Sequence, residues 1–287
     1  LGLRVVKKTV NFDNHHVYHF YYGDERGTPG TIWTTFPYHG RGVRVGTKGA
    51  GQITVTSFSV PKHALEFWAA RCDDRGLAVM HPPSRFGESF IVVEDPSGLA
   101  IELVATDQDT REPWRDGGIP ADMAIRGLHS VTLTIRASEQ TLALMTGLLG
   151  YRIIDRAGDW IRVGVNGGGP GRQMDLLVAP DAPAAVNGLG TVHHVAMAIP
   201  DDNAQLRLRR ELLALDYKVT PVMDRQYFRS IYFREPGGVL FEVATMHPGF
   251  LFDEALDSLG RALKLPQAEE ARREDIEAGL APVTYRA

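Results

Sequence analysis

The sequence predicts an α+β fold built from four βαβββ modules, and an internal duplication is the main observation behind this prediction. Residues 95–105 (DPSGLAIELVA) reappear in similar form 140 positions later as residues 235–245 (EPGGVLFEVAT). A second match joins the segments that start at Gly51 and Gly190. Repetition of this kind marks a chain made of related supersecondary units. The four modules are expected to begin before Leu1, near Gly51, near Ile125 and near Gly190.

The fourth module shows the βαβββ order most clearly. A β-rich run over residues 191–199 is followed by Asp201 or Asp202, either of which can cap the helix expected over residues 203–215. Three further strands are expected over residues 217–222, 230–234 and 239–245. A tight turn is expected before the last strand, at Gly237 and Gly238, because glycine reaches the positive φ values that such turns need.

The modules group into two halves. Residues 1–115 hold the N-terminal pair, whose first module lacks its first strand and helix, and residues 125–247 hold the C-terminal pair with the metal residues. The stretch 107–120 is rich in Asp, Pro and Gly, which is typical of a linker. Residues 248–287 form a helical tail, in which residues 253–279 alternate charged and apolar residues at helical spacing. We expect this tail to be a solvated helix packed on its own chain rather than an arm that contacts another subunit.

The composition excludes several classes of protein. Of the 287 residues, 44% are hydrophobic and 23% are charged, with 30 Gly and 17 Pro, which is typical of a globular protein rather than a disordered chain or a coiled coil. The net charge is −4 and no basic stripe is present, so a nucleic-acid partner is not expected. The only cysteine is Cys72, which excludes an intrachain disulfide, and no apolar run is long enough to span a bilayer. With no secretory signal at the start, these features predict a cytoplasmic protein without a membrane partner.

A histidine and a carboxylate of the fourth module are expected to face the same cavity. Side chains alternate along a strand, so His194 shares one face with Ala196 and Ala198, while bulkier side chains take the other face. On the last strand Glu242 lies opposite the bulky side chains that pack against the helix. Imidazole and carboxylate suit a divalent first-row metal, and two histidines with one carboxylate form the ligand set of non-haem Fe(II) oxygenases. His194 and Glu242 are therefore the predicted metal ligands.

The N-terminal half repeats only part of this pattern. Glu102 repeats Glu242, but Val55 occupies the position that corresponds to His194. We therefore expect Glu102 to be structural or vestigial.

The third metal ligand is expected in a part of the first module that precedes Leu1. In the third module Ser130 aligns with His194, and the neighbouring His129 would point to the opposite face. The repeat places the equivalent position of the first module about nineteen residues before Leu1. The alternative third ligand is His129.

Motifs spread along the whole chain resemble a known family. They are residues 1–12 (LGLRVVKKTVNF), 18–24 (YHFYYGD), 29–31 (PGT), 190–195 (GTVHHV) and 237–242 (GGVLFE), with 248–250 (PGF), 259–260 (LG) and 263–266 (LKLP) in the tail. The paired βαβββ modules resemble the vicinal-oxygen-chelate superfamily of glyoxalases, bleomycin resistance proteins and extradiol dioxygenases. The motifs are similar to those of its hydroquinone-type ring-cleaving dioxygenases. This resemblance implies two tandem glyoxalase-like domains with concave mixed sheets.

The resemblance also implies roles for individual residues. The family's metal is Fe(II), with Mn(II) as the alternative here; its second histidine ligand falls on His194 and its glutamate ligand on Glu242. Its first histidine ligand lies in a His-His-Ile-Thr-like segment that this sequence lacks. The resemblance implies that Arg225 stabilises anionic charge, that Tyr232 hydrogen-bonds a substrate or superoxide oxygen, and that His193 moves protons. For His193, strand alternation favours instead a position buried under the helix.

The activity implied is extradiol-type cleavage of a hydroquinone-like or catechol-like ring with Fe(II) and O₂, as in the degradation of aromatic compounds. The alternatives are a glyoxalase-type metal-dependent isomerase, which needs no O₂, and a metal-free protein that sequesters a small aromatic molecule. A homo-oligomer is expected, while the substrate's substituents stay open. The other histidines show no comparable pairing and are expected to be structural: His15, His16, His19, His39, His63, His81 and His247.

Overall fold

The computed structural model describes residues 1–38 and 40–283 and confirms the predicted α+β class. The first module contributes three strands, β1 (Arg4–Asn11), β2 (Asn14–Gly23) and β3 (Trp33–Thr35). The second contributes β4 (Gln52–Val60), a 3-10 turn (Lys62–Ala64), α1 (Leu65–Asp73), β5 (Val79–Met80), β6 (Phe90–Glu94) and β7 (Ala100–Ala105).

The third and fourth modules each show the complete βαβββ order. The third consists of β8 (Gly127–Ile135), α2 (Glu139–Gly147), β9 (Arg152–Ala157), β10 (Trp160–Gly164) and β11 (Gln173–Val178). The fourth consists of β12 (Val195–Ile199), α3 (Asp202–Ala214), β13 (Met223–Asp224), β14 (Arg229–Arg234) and β15 (Leu240–Thr245).

The strands form three sheets, and the largest one crosses the boundary between the two halves of the chain. It has eight strands in the order β5-β6-β7-β4-β8-β11-β10-β9, because the first strands of modules two and three pair antiparallel at its centre. This pairing covers two strand edges that would otherwise be exposed. The other sheets have the orders β1-β2-β3 and β12-β15-β14-β13. A division of the chain at the linker therefore does not separate the sheets.

The hydrophobic clusters join other pairs of modules than the strand pairing within the eight-stranded sheet does. One buried cluster joins the third and fourth modules through side chains such as Leu133 and Met145 with Phe233 and Phe241. A second cluster belongs to the second module and is extended by Trp33 of the first. Each cluster of apolar side chains holds neighbouring modules together by removing their apolar surface from water.

Several predicted elements of the fourth module are confirmed and two are wrong. Helix α3 begins at Asp202, and the Asp201 carboxylate caps it by accepting a hydrogen bond from the Ala204 N–H at 2.8 Å. The last two strands lie within one residue of the prediction. The predicted strand over 217–222 is absent, because Tyr217 N–H bonds back to the Leu212 carbonyl and closes the helix end. The first strand starts at Val195 and not at residue 191.

The tail packs on its own chain, but it contains less helix than its pattern predicts. It has 3-10 turns at Phe250–Phe252, Leu256–Ser258 and Gln267–Arg272, followed by α4 (Arg273–Gly279). Ile276 is fully buried against Val10 of β1. No helix in the described part of the chain is long and apolar enough to cross a membrane.

Candidate active site

His194 and Glu242 are in direct contact, as the alternation of side chains predicts. Strands β12 and β15 are parallel neighbours, and Ala196 lies opposite Glu242 in their register. His194 precedes Ala196 by two residues, so its side chain reaches the same side of the sheet. The His194 Nε2 atom lies 2.7 Å from the Glu242 Oε2 atom, and the Glu242 side chain is 4% exposed.

The other oxygen of Glu242 accepts two hydrogen bonds from the neighbouring strand β14. Tyr232 lies opposite Glu242 in the register and donates its hydroxyl to Oε1 at 2.8 Å, and the Ser230 hydroxyl also donates to Oε1. Burial by itself would raise the pKa of the Glu242 carboxyl, but His194 and the two hydroxyls outweigh burial and lower it. Glu242 is therefore a buried carboxylate anion near neutral pH.

Tyr232 and Arg225 extend this cluster. The Arg225 Nε donates to the Tyr232 hydroxyl oxygen at 3.3 Å, and the guanidinium carbon lies 5.4 Å from the centre of the tyrosine ring. Burial, followed by the charge of Glu242, raises the pKa of Tyr232, so its phenol stays protonated and acts as a donor. Burial would lower the pKa of Arg225, but Tyr232, Asp13 and Glu242 outweigh it and raise that pKa. The structure thus brings the residues that the resemblance points to into one cluster.

His193 lies beside His194 and is not buried under the helix. Its Nδ1 atom is 2.9 Å from the His194 Nδ1 atom, and the side chain is exposed. The expected burial under the helix is wrong, because His193 precedes the first residue of β12 and its side chain is exposed. His193 therefore offers a connection between the cluster and solvent.

His19 and Tyr21 of β2 also lie close to this cluster. The sequence analysis expects His19 to be structural and does not single out Tyr21. The His19 ring stacks on Phe36 with a centroid distance of 4.1 Å and lies 4.0 Å from the Tyr21 ring. Burial, with smaller contributions from His194 and Arg225, lowers the pKa of His19 well below its usual value. Burial, with the charges of Glu242 and Tyr232, raises the pKa of Tyr21 well above its own.

The His19 Nε2 atom is buried and has no hydrogen-bond partner among the residues that the structure describes. A buried polar atom in this state is free to bond a ligand. The sequence contains only one hint of this role, which is the position of His19 within the motif shared with the resembled family.

His129 and Glu102 belong to a different cluster, within the eight-stranded sheet. The His129 Nε2 atom lies 3.0 Å from Glu88, and His129 stands on β8 of this sheet, whereas Glu242 stands on β15 of the four-stranded sheet. Glu102 is held by two Arg85 nitrogens at 3.1 and 2.7 Å. The structure therefore places His129 apart from His194 and Glu242, and Glu102 forms an internal ion pair. His39 lies outside the described residues.

The donor atoms of the cluster fit a divalent first-row metal, but they do not complete its ligand set. A histidine nitrogen and an ionised carboxylate stand side by side, and both are ligands that Fe(II) and Mn(II) accept. Within residues 1–38 and 40–283 no three His, Cys, Asp or Glu side chains come together as a metal site. His194 and Glu242 therefore could supply two ligands, and their role as ligands and the source of the third stay predictions.

Comparison with known proteins gives consistent results along the chain. Residues 127–243 match the model of the Glyoxalase/Bleomycin resistance protein/Dioxygenase superfamily. The chain is 41% identical, over all of its length and 90% of the relative's, to a protein of Bacillus subtilis (strain 168) provisionally named ring-cleaving dioxygenase MhqO. It is 36% identical, over 96% of its length and 87% of the relative's, to the chlorohydroquinone/hydroquinone 1,2-dioxygenase of Sphingobium indicum. A solved structure, provisionally described as a dioxygenase of Bacillus subtilis subsp. subtilis str. 168, superposes with a TM-score of 0.94 at 41% identity, covering 100% of this chain and 91% of that one.

Proposed function

This chain belongs to the glyoxalase/bleomycin resistance protein/dioxygenase superfamily, and from that membership we propose that it is a ring-cleaving dioxygenase that uses non-haem Fe(II). Its substrates are hydroquinone-like or catechol-like aromatic compounds, which it opens with O₂ in an extradiol-type reaction. The names of its full-length relatives support the reaction class. The observation that carries the proposal is the contact of His194 Nε2 with Glu242 Oε2 at 2.7 Å, beside the donors Tyr232 and Arg225.

His194 and Glu242 are the residues that would hold the metal. When bound, Fe(II) supplies a centre at which an ionised phenol oxygen and O₂ are brought together and activated. Mn(II) is the alternative metal, since the same donors accept it. Ser230 and Tyr232 fix the orientation of the Glu242 carboxylate, which is the usual task of groups that hydrogen-bond a metal ligand.

Arg225, Tyr232 and His193 handle charge and protons around the substrate. The guanidinium of Arg225 is positively charged and attracts the negative charge that an ionised phenol carries. Tyr232 keeps its proton and donates a hydrogen bond. His193 is exposed and contacts His194, so it can pass the proton released by the substrate to solvent.

His19 is a further contact for the substrate. Its Nε2 atom is buried without a partner in the described part of the chain, and its pKa is lowered, so the ring is neutral near neutral pH. A neutral imidazole nitrogen can donate or accept a hydrogen bond. It therefore suits a hydroxyl group of a bound aromatic ring.

The test is O₂ uptake by the full-length protein, loaded anaerobically with Fe(II), when it is mixed with hydroquinones and catechols. We expect one O₂ per ring opened, with both oxygen atoms in the product and a new chromophore. His194→Ala and Glu242→Ala are expected to abolish uptake, and uptake that survives both substitutions would contradict the proposal. Fe(II) binding without O₂ uptake would favour an isomerase, and failure to bind any metal would favour a sequestration protein.

A further inference from the structure

The turn that carries Arg225 has a backbone conformation that needs support. Gln226 has a φ of +66°, in the left-handed region that residues other than glycine rarely adopt. The Gln226 N–H donates to the Asp224 carboxylate at 2.8 Å, and the Arg225 N–H donates to the Phe228 carbonyl at 2.9 Å. These bonds fix the shape of the turn, and the pairing of Asp224 with Arg229 joins it to β14, the strand that carries Tyr232.

The C-terminal tail adds hydrogen bonds from outside the hairpin that hold the end of this turn. The Asp253 Oδ2 atom accepts hydrogen bonds from the Gln226 side-chain amide at 3.1 Å and from the Tyr227 hydroxyl at 3.0 Å. The Gly249 N–H also donates to the Tyr227 carbonyl at 2.8 Å. Gln226 and Tyr227, the two residues that follow Arg225, are therefore hydrogen-bonded to Asp253, which lies 28 positions after Arg225 in the sequence.

Asp253 is itself held by a lysine of the first module. Lys7 on β1 is fully buried, and its Nζ lies 2.6 Å from Asp253 Oδ1 and 2.5 Å from Glu254 Oε2. The same ammonium lies 4.8 Å from the centre of the Tyr227 ring. A buried ammonium is tolerated only where anions surround it, so these contacts fix the place of Asp253.

We propose that Asp253, held by Lys7, is a positioning residue that sets where Arg225 stands in the active site; this inference rests on the proposed function. Arg225 meets Tyr232 at 3.3 Å, and a shift of the turn by about 1 Å would break that contact, a displacement that can cost an enzyme about a hundredfold in rate. The C-terminal tail then contributes to the geometry of the active site. Asp253 acts through Gln226 and Tyr227 and not on the substrate.

Glu254 is the matched control for Asp253. Both carboxylates bind Lys7, so removing the charge of either one disturbs the same buried ion cluster. The other hydrogen bonds that Glu254 accepts come from the Gly260 and Ala262 N–H groups of the tail, both at 3.3 Å. Of these two carboxylates, Asp253 alone hydrogen-bonds the turn 224–228 within the described residues, so the two substitutions separate positioning from stability.

The experiment compares Asp253→Asn with Glu254→Gln in the Fe(II)-loaded full-length protein, using O₂ uptake with hydroquinone, and repeats Asp253→Asn in an Arg225→Gln background. Asp253→Asn is expected to lower kcat/KM by about tenfold to a hundredfold, and Glu254→Gln by less than about twofold. In the Arg225→Gln background, Asp253→Asn should change kcat/KM by less than about twofold, because residues that act through one another are not additive. Equal losses from the two carboxylate variants, or an undiminished Asp253→Asn loss in the absence of Arg225, would overturn the positioning role.

A second measurement does not depend on activity. Amide hydrogen exchange of residues 224–228 should be faster in Asp253→Asn than in the wild-type protein and in Glu254→Gln, because only the first variant loosens the turn. If the wild-type protein takes up no O₂, the proposed function fails, and this exchange comparison still decides the inference. Unchanged exchange in Asp253→Asn would then show that Asp253 does not hold the turn.

Discussion

Arg85 holds Glu102 with two guanidinium nitrogens, at the position that the internal repeat makes equivalent to the Arg225 and Glu242 pair. In the fourth module the arginine contacts Tyr232 instead, and the glutamate is free to meet His194. The Arg85 guanidinium carbon also lies 4.6 Å from the Phe90 ring centre and 4.2 Å from that of Trp160. The Arg85 guanidinium thus fills the space beside Glu102. The second module therefore has an internal ion pair at the place where the fourth module has its candidate active site.

The first prediction concerns the stability of that ion pair. Arg85→Met leaves the Glu102 carboxylate buried without its cation, and loss of one partner of a buried pair costs about 3–5 kcal/mol. We expect a drop of that size in the free energy of unfolding measured with urea. The exposed pair Lys48 and Glu94 is the control, and Lys48→Met should cost less than about 1 kcal/mol. Equal small losses in both variants would show that Arg85 contributes no more than a surface residue.

The second prediction concerns metal binding. Substitution of groups that merely hydrogen-bond a ligand costs about tenfold to a hundredfold in metal affinity, so loss of a ligand itself should cost at least about a hundredfold. We expect His194→Ala and Glu242→Gln to show such losses for Fe(II) and Mn(II) in titration calorimetry. Glu102→Gln is the matched control, because Glu102 is the residue that the repeat makes equivalent to Glu242, and Arg85 is already bound to it. Equal metal loss in all three variants would contradict the assignment of the site to the fourth module.

The sequence predicts the pair His194 and Glu242 because two local regularities are sufficient for it. Alternation places each side chain on a face, and the repeat shows which strand carries which residue. The parallel pairing of β12 and β15 then brings them together. The same reasoning fails for residues 217–222, where helix closure by Tyr217 overrides a β-rich composition.

His19 and Asp253 were beyond sequence reasoning for a different reason. His19 stands on β2 and Asp253 in the tail, far from the fourth module in the sequence, and tertiary packing alone brings them to it. The antiparallel pairing of β4 with β8 has the same character, since no pattern within either strand specifies the other as its partner. Contacts of this kind depend on how modules pack, which local periodicity does not record.

The third prediction concerns the hydroxyl of Tyr232. Tyr232→Phe keeps the ring next to His194 and Arg225 but removes the hydroxyl that donates to Glu242, so the carboxylate loses one of the groups that orient it. We expect kcat for ring cleavage to fall by about tenfold to a hundredfold, measured at a metal concentration that keeps the site filled, because groups that hydrogen-bond a metal ligand are worth about this much. Tyr217→Phe, which alters a tyrosine that packs on Phe233 in the same module, should leave kcat nearly unchanged. A Tyr232→Phe enzyme with full kcat would remove the hydroxyl from the mechanism.

The fourth prediction concerns stability in acid. Burial alone would raise the pKa of Glu88, but His129 and Arg162 outweigh it and lower that pKa from its ordinary 4.5 to about 2. A carboxyl whose pKa is lower in the folded state stabilises the fold above its unfolded pKa and loses this contribution as the pH falls. The contribution of Glu88 should therefore be complete above pH 4.5 and decline between pH 4.5 and 2. Urea unfolding at several pH values should show that Glu88→Gln loses less stability over this window than the wild-type protein; parallel curves would contradict the assignment.

The fifth prediction sets stability against activity at His19. A buried polar atom without a partner costs about 1–3 kcal/mol, and within residues 1–38 and 40–283 the His19 Nε2 atom has none. His19→Phe removes that atom and keeps an aromatic ring between Phe36 and Tyr21, so the free energy of unfolding should stay equal or rise. If Nε2 bonds the substrate, KM for hydroquinone should increase by about twofold to tenfold, the worth of one neutral hydrogen bond. A variant with lower stability and an unchanged KM would show instead that His19 serves only the packing of β2. The opposite signs expected for the two measurements are what separate a residue kept for a ligand from one kept for the fold.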